Sequence, residues 1–249
     1  MEAAKRIQMG SSGFLRIKGL RKGYDGIEAL RGIDLSLQKG EFLSLFGPNG
    51  AGKTTLIRII STLLKPGSGS VRVMDFDIEE HAEEFRAQLG VISHQSFLYN
   101  DLSARENLEF YAALYRVNDP VGKTGELLRL VGLHDREDSQ VSGFSRGMQQ
   151  RLSIARALIN DPSLLLLDEP YTGLDEHASI LLSGHLRQLH SRQRTIVMVT
   201  HDLKRGLESA TKVGILSKGR LVYLKDRSEV DTDEFEHVYL RYLKGAPVE

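Results

Sequence analysis

Apolar positions along the chain recur with two different periods. Phe14 to Leu20 and Ile33 to Leu37 alternate apolar and polar residues on either side of a Gly23-Tyr24-Asp25-Gly26 turn, which predicts half-exposed antiparallel strands. Val71-Arg72-Val73, after the Pro66-Gly67-Ser68-Gly69 loop, predicts another. Phe42 to Phe46, Leu89 to Ile92, Leu164 to Leu167 and Thr195 to Thr200 are instead short and apolar, as buried strands of a parallel sheet are. Val213 to Ser217 and Leu221 to Leu224, joined by Lys218-Gly219, read as a hairpin that ends the sheet.

Between these runs the period changes to that of a helix. Leu56, Ile57, Ile59, Ile60, Leu63 and Leu64 predict one helix, and a Ser103-x-x-Glu106 capping box opens another through Leu108, Tyr111, Ala112 and Tyr115. Asp119-Pro120 starts a third with Leu127, Leu128, Leu130 and Val131, closed by Gly132. A fourth follows Ser145, with Met148, Leu152, Ala155 and Ile159 on one face and Arg146, Gln149, Gln150 and Arg156 elsewhere. Asp175 caps a helix whose apolar side carries Ile180, Leu181, Leu182, Leu186 and Leu189. Asp231-x-x-Glu234 precedes a last one with Phe235, Val238, Tyr239, Tyr242 and Leu243. The pattern predicts a single α/β domain: a core of residues 14–96 and 161–225, a helical subdomain of residues 97–160 inserted in it, and a helical tail of residues 226–249.

Composition narrows the class. The chain has 249 residues, 41% of them apolar, enough for a real core. Lysine plus arginine and aspartate plus glutamate are both 33, so no net field draws it to nucleic acid or an anionic membrane surface. It has no cysteine, hence no disulfide and no thiolate metal site. The amino terminus lacks a signal-peptide core, and no run of about 18 apolar residues spans a bilayer.

The candidate chemistry lies where strands end. Gly47-Pro48-Asn49-Gly50-Ala51-Gly52-Lys53-Thr54-Thr55 stands between a strand and a helix, the context in which G-x-x-x-x-G-K-[ST] wraps phosphates with backbone N–H groups. Lys53 reaches the terminal phosphates there, and the Thr54 hydroxyl holds magnesium. Asp168 and Glu169 follow a run of four leucines; adjacent acids on a strand point apart, so Asp168 can serve the magnesium shell and Glu169 can orient a water as base. Gln95 and His201 also sit just past strand ends, the ligand edge of an α/β sheet, where an amide can meet water or magnesium and an imidazole can donate to phosphate. Tyr24 offers a ring for stacking on a base, or caps a sheet edge.

Together these stretches resemble the ATP-binding cassette ATPases, the motor subunits of ABC transporters, over about Leu15 to Leu224. The resemblance implies a P-loop ATPase fold: a mostly parallel sheet, a small antiparallel β subdomain and an inserted helical subdomain. It assigns Tyr24 to adenine stacking, Gly47 to Thr55 to the Walker A loop and Gln95 to the Q-loop. Asp168 and Glu169 become the Walker B aspartate and catalytic glutamate, Gly173-Leu174-Asp175 the D-loop, and His201 the switch histidine.

Phe144-Ser145-Arg146-Gly147-Met148 stands where the family has its Leu-Ser-Gly-Gly-Gln signature. Ser145 and Gly147 are retained, whereas Phe144, Arg146 and Met148 replace leucine, the first glycine and glutamine, which leaves no glutamine side chain at Met148 to take a role. In the family the signature closes on the Walker A loop of a second subunit. The resemblance therefore implies ATP and Mg2+ as ligands and a head-to-tail homodimer or heterodimer. It also implies an integral membrane permease as partner, attachment to the inner face of the cell membrane through it, and no nucleic acid.

Ser93 to Leu102, Glu106 to Ala112, Phe144 to Met148 and Asp168 to Asp175 look most like the ATP-binding subunit of the haem exporter linked to cytochrome c maturation. They are also similar to drug and polysaccharide exporters of the ABC-2 type. A soluble cassette protein without a transporter is a further alternative. Those usually carry two cassettes or a long coiled-coil insertion, and neither is seen here.

Overall fold

The computed structural model describes residues 13–74, 76–93, 96–191 and 193–243, the side chain of His177 excepted. Two sheets organise it. An antiparallel sheet is formed by β1 (Leu15–Tyr24), β2 (Ile27–Leu37), β4 (Ser68–Val73) and β5 (Phe76–Asp77) in the order β2-β1-β4-β5. The second contains β3 (Phe42–Phe46), β6 (Leu89–Ile92), β7 (Leu164–Asp168), β8 (Thr195–Thr200), β9 (Lys212–Ser217) and β10 (Arg220–Asp226) in the order β10-β9-β3-β8-β7-β6. All its pairings are parallel except β10 with β9. Helices α1 (Lys53–Ile60), α2 (Ala82–Ala87), α3 (Ala104–Leu114), α4 (Pro120–Leu130), α5 (Arg146–Ala157), α6 (Glu176–Ser191), α7 (Leu203–Ser209) and α8 (Phe235–Leu243) connect or flank them. This is the α/β arrangement that the apolar pattern predicts.

The alternation of side chains along a strand splits the interior in two. Leu164, Leu166, Val197 and Val199 face a core shared with the antiparallel sheet and with Leu56, Ile57, Ile59 and Ile60 of α1. Leu165, Leu167, Ile196 and Met198 face the opposite core, built from α3 to α6 through Leu108, Leu127, Leu152 and Leu186. Each fully buried leucine is worth about 2 kcal/mol by area, so the four of β7 hold that strand firmly in the middle of the molecule. A third cluster joins Phe46, Leu207, Val213 and Ile215 to Phe235 of the carboxy-terminal helix, with the Phe46 and Phe235 rings 5.3 Å apart.

Local signals account for several helix starts. Ser103 and Glu106 form the reciprocal capping box, with the Ser103 Oγ accepting from the Glu106 N–H and Glu106 Oε2 from the Ser103 N–H. Asp119, Ser145 and Asp202 cap α4, α5 and α7 through their side-chain oxygens. Asp231 Oδ1 accepts from the N–H groups of Asp233 and Glu234, a turn that leads into α8.

The structure corrects the sequence reading at Tyr24, at Ile180 and Leu181, and at Leu63, which is exposed beyond the end of α1. Tyr24 ends β1, and the turn begins after it at Asp25. Ile180 and Leu181 do not join the apolar side of α6: they are exposed, because the stripe that meets the core runs through Ser179, Leu182, Ser183, Leu186 and Leu189. Arg156, off the apolar face of α5 as the spacing predicts, is nonetheless only half-exposed. Its Nη2 donates to the Val91 carbonyl at 2.5 Å, and its guanidinium lies 5.3 Å from the Phe97 ring centre and 5.6 Å from that of Tyr111. Burial pushes this guanidinium down from its ordinary value.

One titratable group on α6 makes stability depend on pH. His185 Nε2 is 3.0 Å from the Leu130 carbonyl oxygen, while Arg151 donates to the neighbouring Val131 and Gly132 carbonyls. Burial lowers the His185 pKa, and the positive Arg151 adds to the fall. The folded state therefore binds the proton less readily than the unfolded chain, whose histidine titrates near 6.5. Stability is full above that range and falls as pH drops through it. Melting temperatures measured between pH 8 and pH 5.5 should fall more steeply for the wild type than for His185→Gln; parallel curves would contradict this.

Candidate active site

Parallel strands in register end at a common edge, and the candidate chemistry gathers there. Phe46 of β3 pairs with Thr200 of β8, Asp168 of β7 pairs with Val199, and Ile92 of β6 pairs with Leu167. The residues that follow are Gly47, His201, Glu169 and Ser93, so four strand ends deliver four loops to one rim. His94 and Gln95 lie outside the described residues.

The phosphate loop is shaped by steric exclusion at its glycines. A Cβ on Gly47 would strike the Leu216 carbonyl, and one on Gly52 would sit 2.5 Å from the Ala29 carbonyl oxygen. Gly50 and Gly52 also have φ of 77° and 103°, which non-glycine residues reach only with strain. The loop thus folds closely against β2 and β9 before α1 begins at Lys53.

Lys53 is buried. Its Nζ donates to the Gly47 carbonyl at 2.6 Å and the Pro48 carbonyl at 3.2 Å, and lies 3.7 Å from Glu169 Oε1. A buried ammonium requires such partners because desolvation without them costs several kcal/mol, of order ~5. Glu169 in turn meets His201, with its Oε2 2.8 Å from Nδ1 and 3.3 Å from the His201 backbone N–H. Glu169 has φ of 51°, a strained backbone for a glutamate, and its N–H is held by the Val199 carbonyl at 2.9 Å. Non-glycine strain of this kind gathers at functional sites.

The second carboxylate has a different neighbour. Asp168 is buried, and its Oδ1 accepts from the Thr54 hydroxyl at 3.4 Å. The two acids therefore divide as alternate strand positions should, one toward Thr54 and one toward Lys53 and His201. Thr54 and Asp168 supply hard oxygen donors side by side, which suits Mg2+, an ion that takes one or two protein oxygens and completes its shell with phosphate and water. Among the described residues no group of three or more His, Cys, Asp or Glu side chains holds a metal by itself.

Tyr24, Ala29, Pro48, Asn49, Gly50, Ala51, Gly52, Lys53, Thr54, Thr55 and Glu169 line one shallow depression. Tyr24 is 42% exposed at its rim, with Lys22 Nζ 5.8 Å from its ring centre, so one ring face can take a base. Ser145, Arg146, Gly147 and Met148 are not among its walls. They form the first turn of α5 elsewhere, where the exposed Ser145 Oγ accepts from the Met148 N–H at 3.2 Å. That leaves the Ser145 O–H free to donate outward. Asp175 Oδ1 accepts from the Ala178 N–H at 2.8 Å and so begins α6.

Sequence reasoning missed the approach of the tail. Val238, Tyr239 and Tyr242 of α8 pack on the cluster of Phe46 and Leu207. Burial pushes the Tyr239 phenol up, and the Glu169 carboxylate adds to the shift, which puts the tail within electrostatic reach of the site. Only the apolar spacing of α8 hinted that it docks; nothing local in its sequence says where.

Comparison with known proteins agrees with this geometry. Residues 30–172 match the ABC transporter family. The chain is 36% identical over 200 residues to the ABC transporter ATP-binding protein NatA of Bacillus subtilis (strain 168), covering 79% of this chain and 81% of that protein. It is also 36% identical over 220 residues to the fluoroquinolones export ATP-binding protein of Mycobacterium tuberculosis (strain CDC 1551 / Oshkosh), covering 87% and 72%. Among solved structures, the ATP-binding cassette MJ0796, described as dimeric in a post-hydrolysis state with ADP and Pi, superposes with a TM-score of 0.78 at 28% identity, over 86% of this chain and 98% of that one. With its phosphate loop, buried lysine and paired strand-end acids, this chain belongs to the ABC transporter family of ATP-binding cassette ATPases.

Proposed function

We propose that the chain hydrolyses ATP in a head-to-tail dimer and that this drives an integral membrane permease. The observation that carries the reading is the contact series Lys53, Glu169, His201 at the rim, beside Thr54 and Asp168. In the proposed cycle the adenine stacks on Tyr24, and N–H groups of Gly50 to Thr55 wrap the phosphates. Lys53 turns from its carbonyl partners to the β- and γ-phosphates. Glu169 orients the attacking water and accepts its proton, while His201 fixes the Glu169 carboxylate and reaches the γ-phosphate. Bound Mg2+ would neutralise phosphate charge, held by the Thr54 hydroxyl and, through the Asp168 carboxylate, by the end of β7, with Gln95 as a further oxygen donor.

The depression around Lys53 has no donor from the signature helix. A second subunit supplies it in this proposal: the Ser145 hydroxyl and the N–H group of Gly147, at the positive end of α5, face the γ-phosphate across the interface. The Asp175 turn lies on the same interface. Differential contact with ATP and with ADP is what makes such a dimer close and reopen.

A second depression fits the permease. Leu63, Val91, Phe97, Tyr111, Tyr115 and Arg156 line a groove between the end of α1, β6 and the helices α3 and α5. Phe97, Tyr99 and Phe110 are exposed beside it, an apolar and aromatic surface of the kind that takes a partner. No helix of the described residues is long and apolar enough to cross a membrane, so attachment to the cytoplasmic face is proposed to come through that partner. The helical subdomain of residues 97–160 is proposed as its docking unit.

For substrate we propose export. The resemblance of Ser93 to Leu102 and Phe144 to Met148 favours haem for cytochrome c maturation, whereas the likeness to a fluoroquinolone-export relative favours a drug-type exporter of the same class. Stimulation of the ATPase of the chain with its co-purified permease, by haem or by drug, separates the two.

Glu169→Gln should lower kcat by at least about 100-fold while an ATP-dependent dimer accumulates on gel filtration. Wild-type turnover in that variant would remove Glu169 as base. Ser145→Arg on every subunit should abolish turnover yet leave nucleotide binding to its own loop within a few-fold, about 3-fold at most; full activity would remove the shared site.

A further inference from the structure

The carboxy-terminal helix α8 comes back toward the rim of the phosphate site, and the chemistry above uses none of its side chains. β10 runs antiparallel to β9, so it leads away from the rim, where Arg220 pairs with Ser217, to the far side, where Asp226 pairs with Lys212. There Arg227 fixes the approach to α8. Its Nη1 donates to the Val230 carbonyl at 2.9 Å and its Nη2 to Thr232 Oγ1 at 2.6 Å, while its Nε donates to the Leu207 carbonyl at 3.1 Å. The last of these bonds ties the approach to the final turn of α7, the helix that begins two residues after His201.

α8 then closes on the same helix. Phe235, its first residue, is buried in one cluster with Leu207 and Phe46, and Leu203 of α7 packs on that cluster together with Val238, Tyr239 and Tyr242 of α8. The Phe235 ring lies 5.3 Å from that of Phe46, the last residue of β3. A Cβ on Gly206 of α7 would sit 2.4 Å from the same Phe46 ring, so α7 and α8 both close on this one aromatic. Phe46 precedes the phosphate loop and α7 follows His201, so whatever holds this cluster holds two of the loops at the rim.

One polar group of α8 is left over. Tyr239 stands four residues after Phe235 on the same helix face, half-buried. Among the described residues its hydroxyl has no hydrogen-bond partner. Burial, and then the nearby Glu169 carboxylate, push this phenol above its ordinary value, so it keeps its proton and remains a donor. Glu169 already meets Lys53 at Oε1 and His201 at Oε2. In the proposed cycle the lysine turns to phosphate, which leaves Oε1 open.

We propose that Tyr239 is a positioning residue for hydrolysis: set at the rim by the closure of α8 on α7 and Phe46, its hydroxyl donates across one water to the Glu169 carboxylate once Lys53 has turned away. The proposal rests on the reading of Glu169 as base. Tyr239 gives that carboxylate an anchor from a helix remote in sequence, so that the base keeps its orientation toward the attacking water when the lysine leaves. Nucleotide binding does not need this anchor, so its loss is read in kcat and not in KM.

The test uses the full chain and four proteins: wild type, Tyr239→Phe, Glu169→Gln and their double variant. Tyr239→Phe keeps the packed ring and removes only the hydroxyl. Its kcat should fall about 10-fold, the effect of one hydrogen bond to a charged group, with KM for ATP and the melting temperature as in the wild type. In the Glu169→Gln background, where residual turnover is followed with radiolabelled ATP, the same substitution should cost less than about 2-fold, because the carboxylate it serves is gone. A wild-type kcat in Tyr239→Phe overturns the proposal. So does an equal loss in both backgrounds, or a loss confined to KM, which a helix that only braces the fold would give. A fifth protein, Phe235→Leu, loosens the closure on Phe46 and should also lower kcat at an unchanged KM; a wild-type kcat there removes α8 as the anchor. Wild-type turnover in Glu169→Gln overturns instead the reading of Glu169 as base, a result distinct from the others.

Discussion

A buried ammonium group governs the arrangement of the site. Lys53 sits at the start of α1 beneath a loop too tight for any side chain at Gly47 or Gly52. The group is tolerable there because two loop carbonyls and Glu169 surround it. Those same partners define what it can do. A phosphate is a stronger partner than a carbonyl, so in the proposed cycle ligand binding redirects the lysine and frees Glu169 to act on water. The contact of Glu169 with His201 extends the effect to the next strand end. One cation thereby ties loop, acid and histidine to a single event, and all three stand on strands whose register is fixed by apolar packing on both faces.

The sequence carried much of this openly. Continuous apolar runs mark buried parallel strands for a reason that depends only on local composition, and the polar residues that end them, Asp168, Glu169 and His201, are then assigned to the ligand edge by topology alone. Ser103, Asp119 and Ser145 announced their helices because a cap is a short-range interaction. What could not be seen depends on distant neighbours. Arg156 looks like a surface residue in any local window, yet α5 turns it onto the Val91 carbonyl and the rings of Phe97 and Tyr111. Ile180 and Leu181 look like core, yet small serines of α6 take the packed positions instead. The assignments of Tyr24, Ser145 and Asp175 came from resemblance rather than from periodicity, and their roles are the part of the account that rests on proposal.

Departures from the common family pattern gather at one place. The stretch that resembles the family's signature carries Arg146 in the position of a glycine, and the structure brings that arginine against Gly173 of the chain's own turn. A glycine there would leave the turn untouched by α5 at this point. The substitution thus exchanges a bare backbone for a contact between α5 and the turn that follows β7. The tail makes a parallel case: Phe235 supports Phe46, the residue before the phosphate loop, and Tyr239 feels Glu169. Elements remote in sequence converge on the strand ends because the edge of a parallel sheet is where backbone directions, and therefore loops, coincide.

The central claim is that each nucleotide is enclosed by two chains. The most direct measurement mixes Lys53→Ala with Ser145→Arg, each inactive alone, and follows ATP hydrolysis as the two exchange subunits. One intact site then forms in every mixed dimer, from the loop of one chain and the signature of the other, so activity should appear on mixing. If the mixture stays as inactive as its components while mixed dimers are present, the loop and the signature do not meet between chains, and the account is wrong.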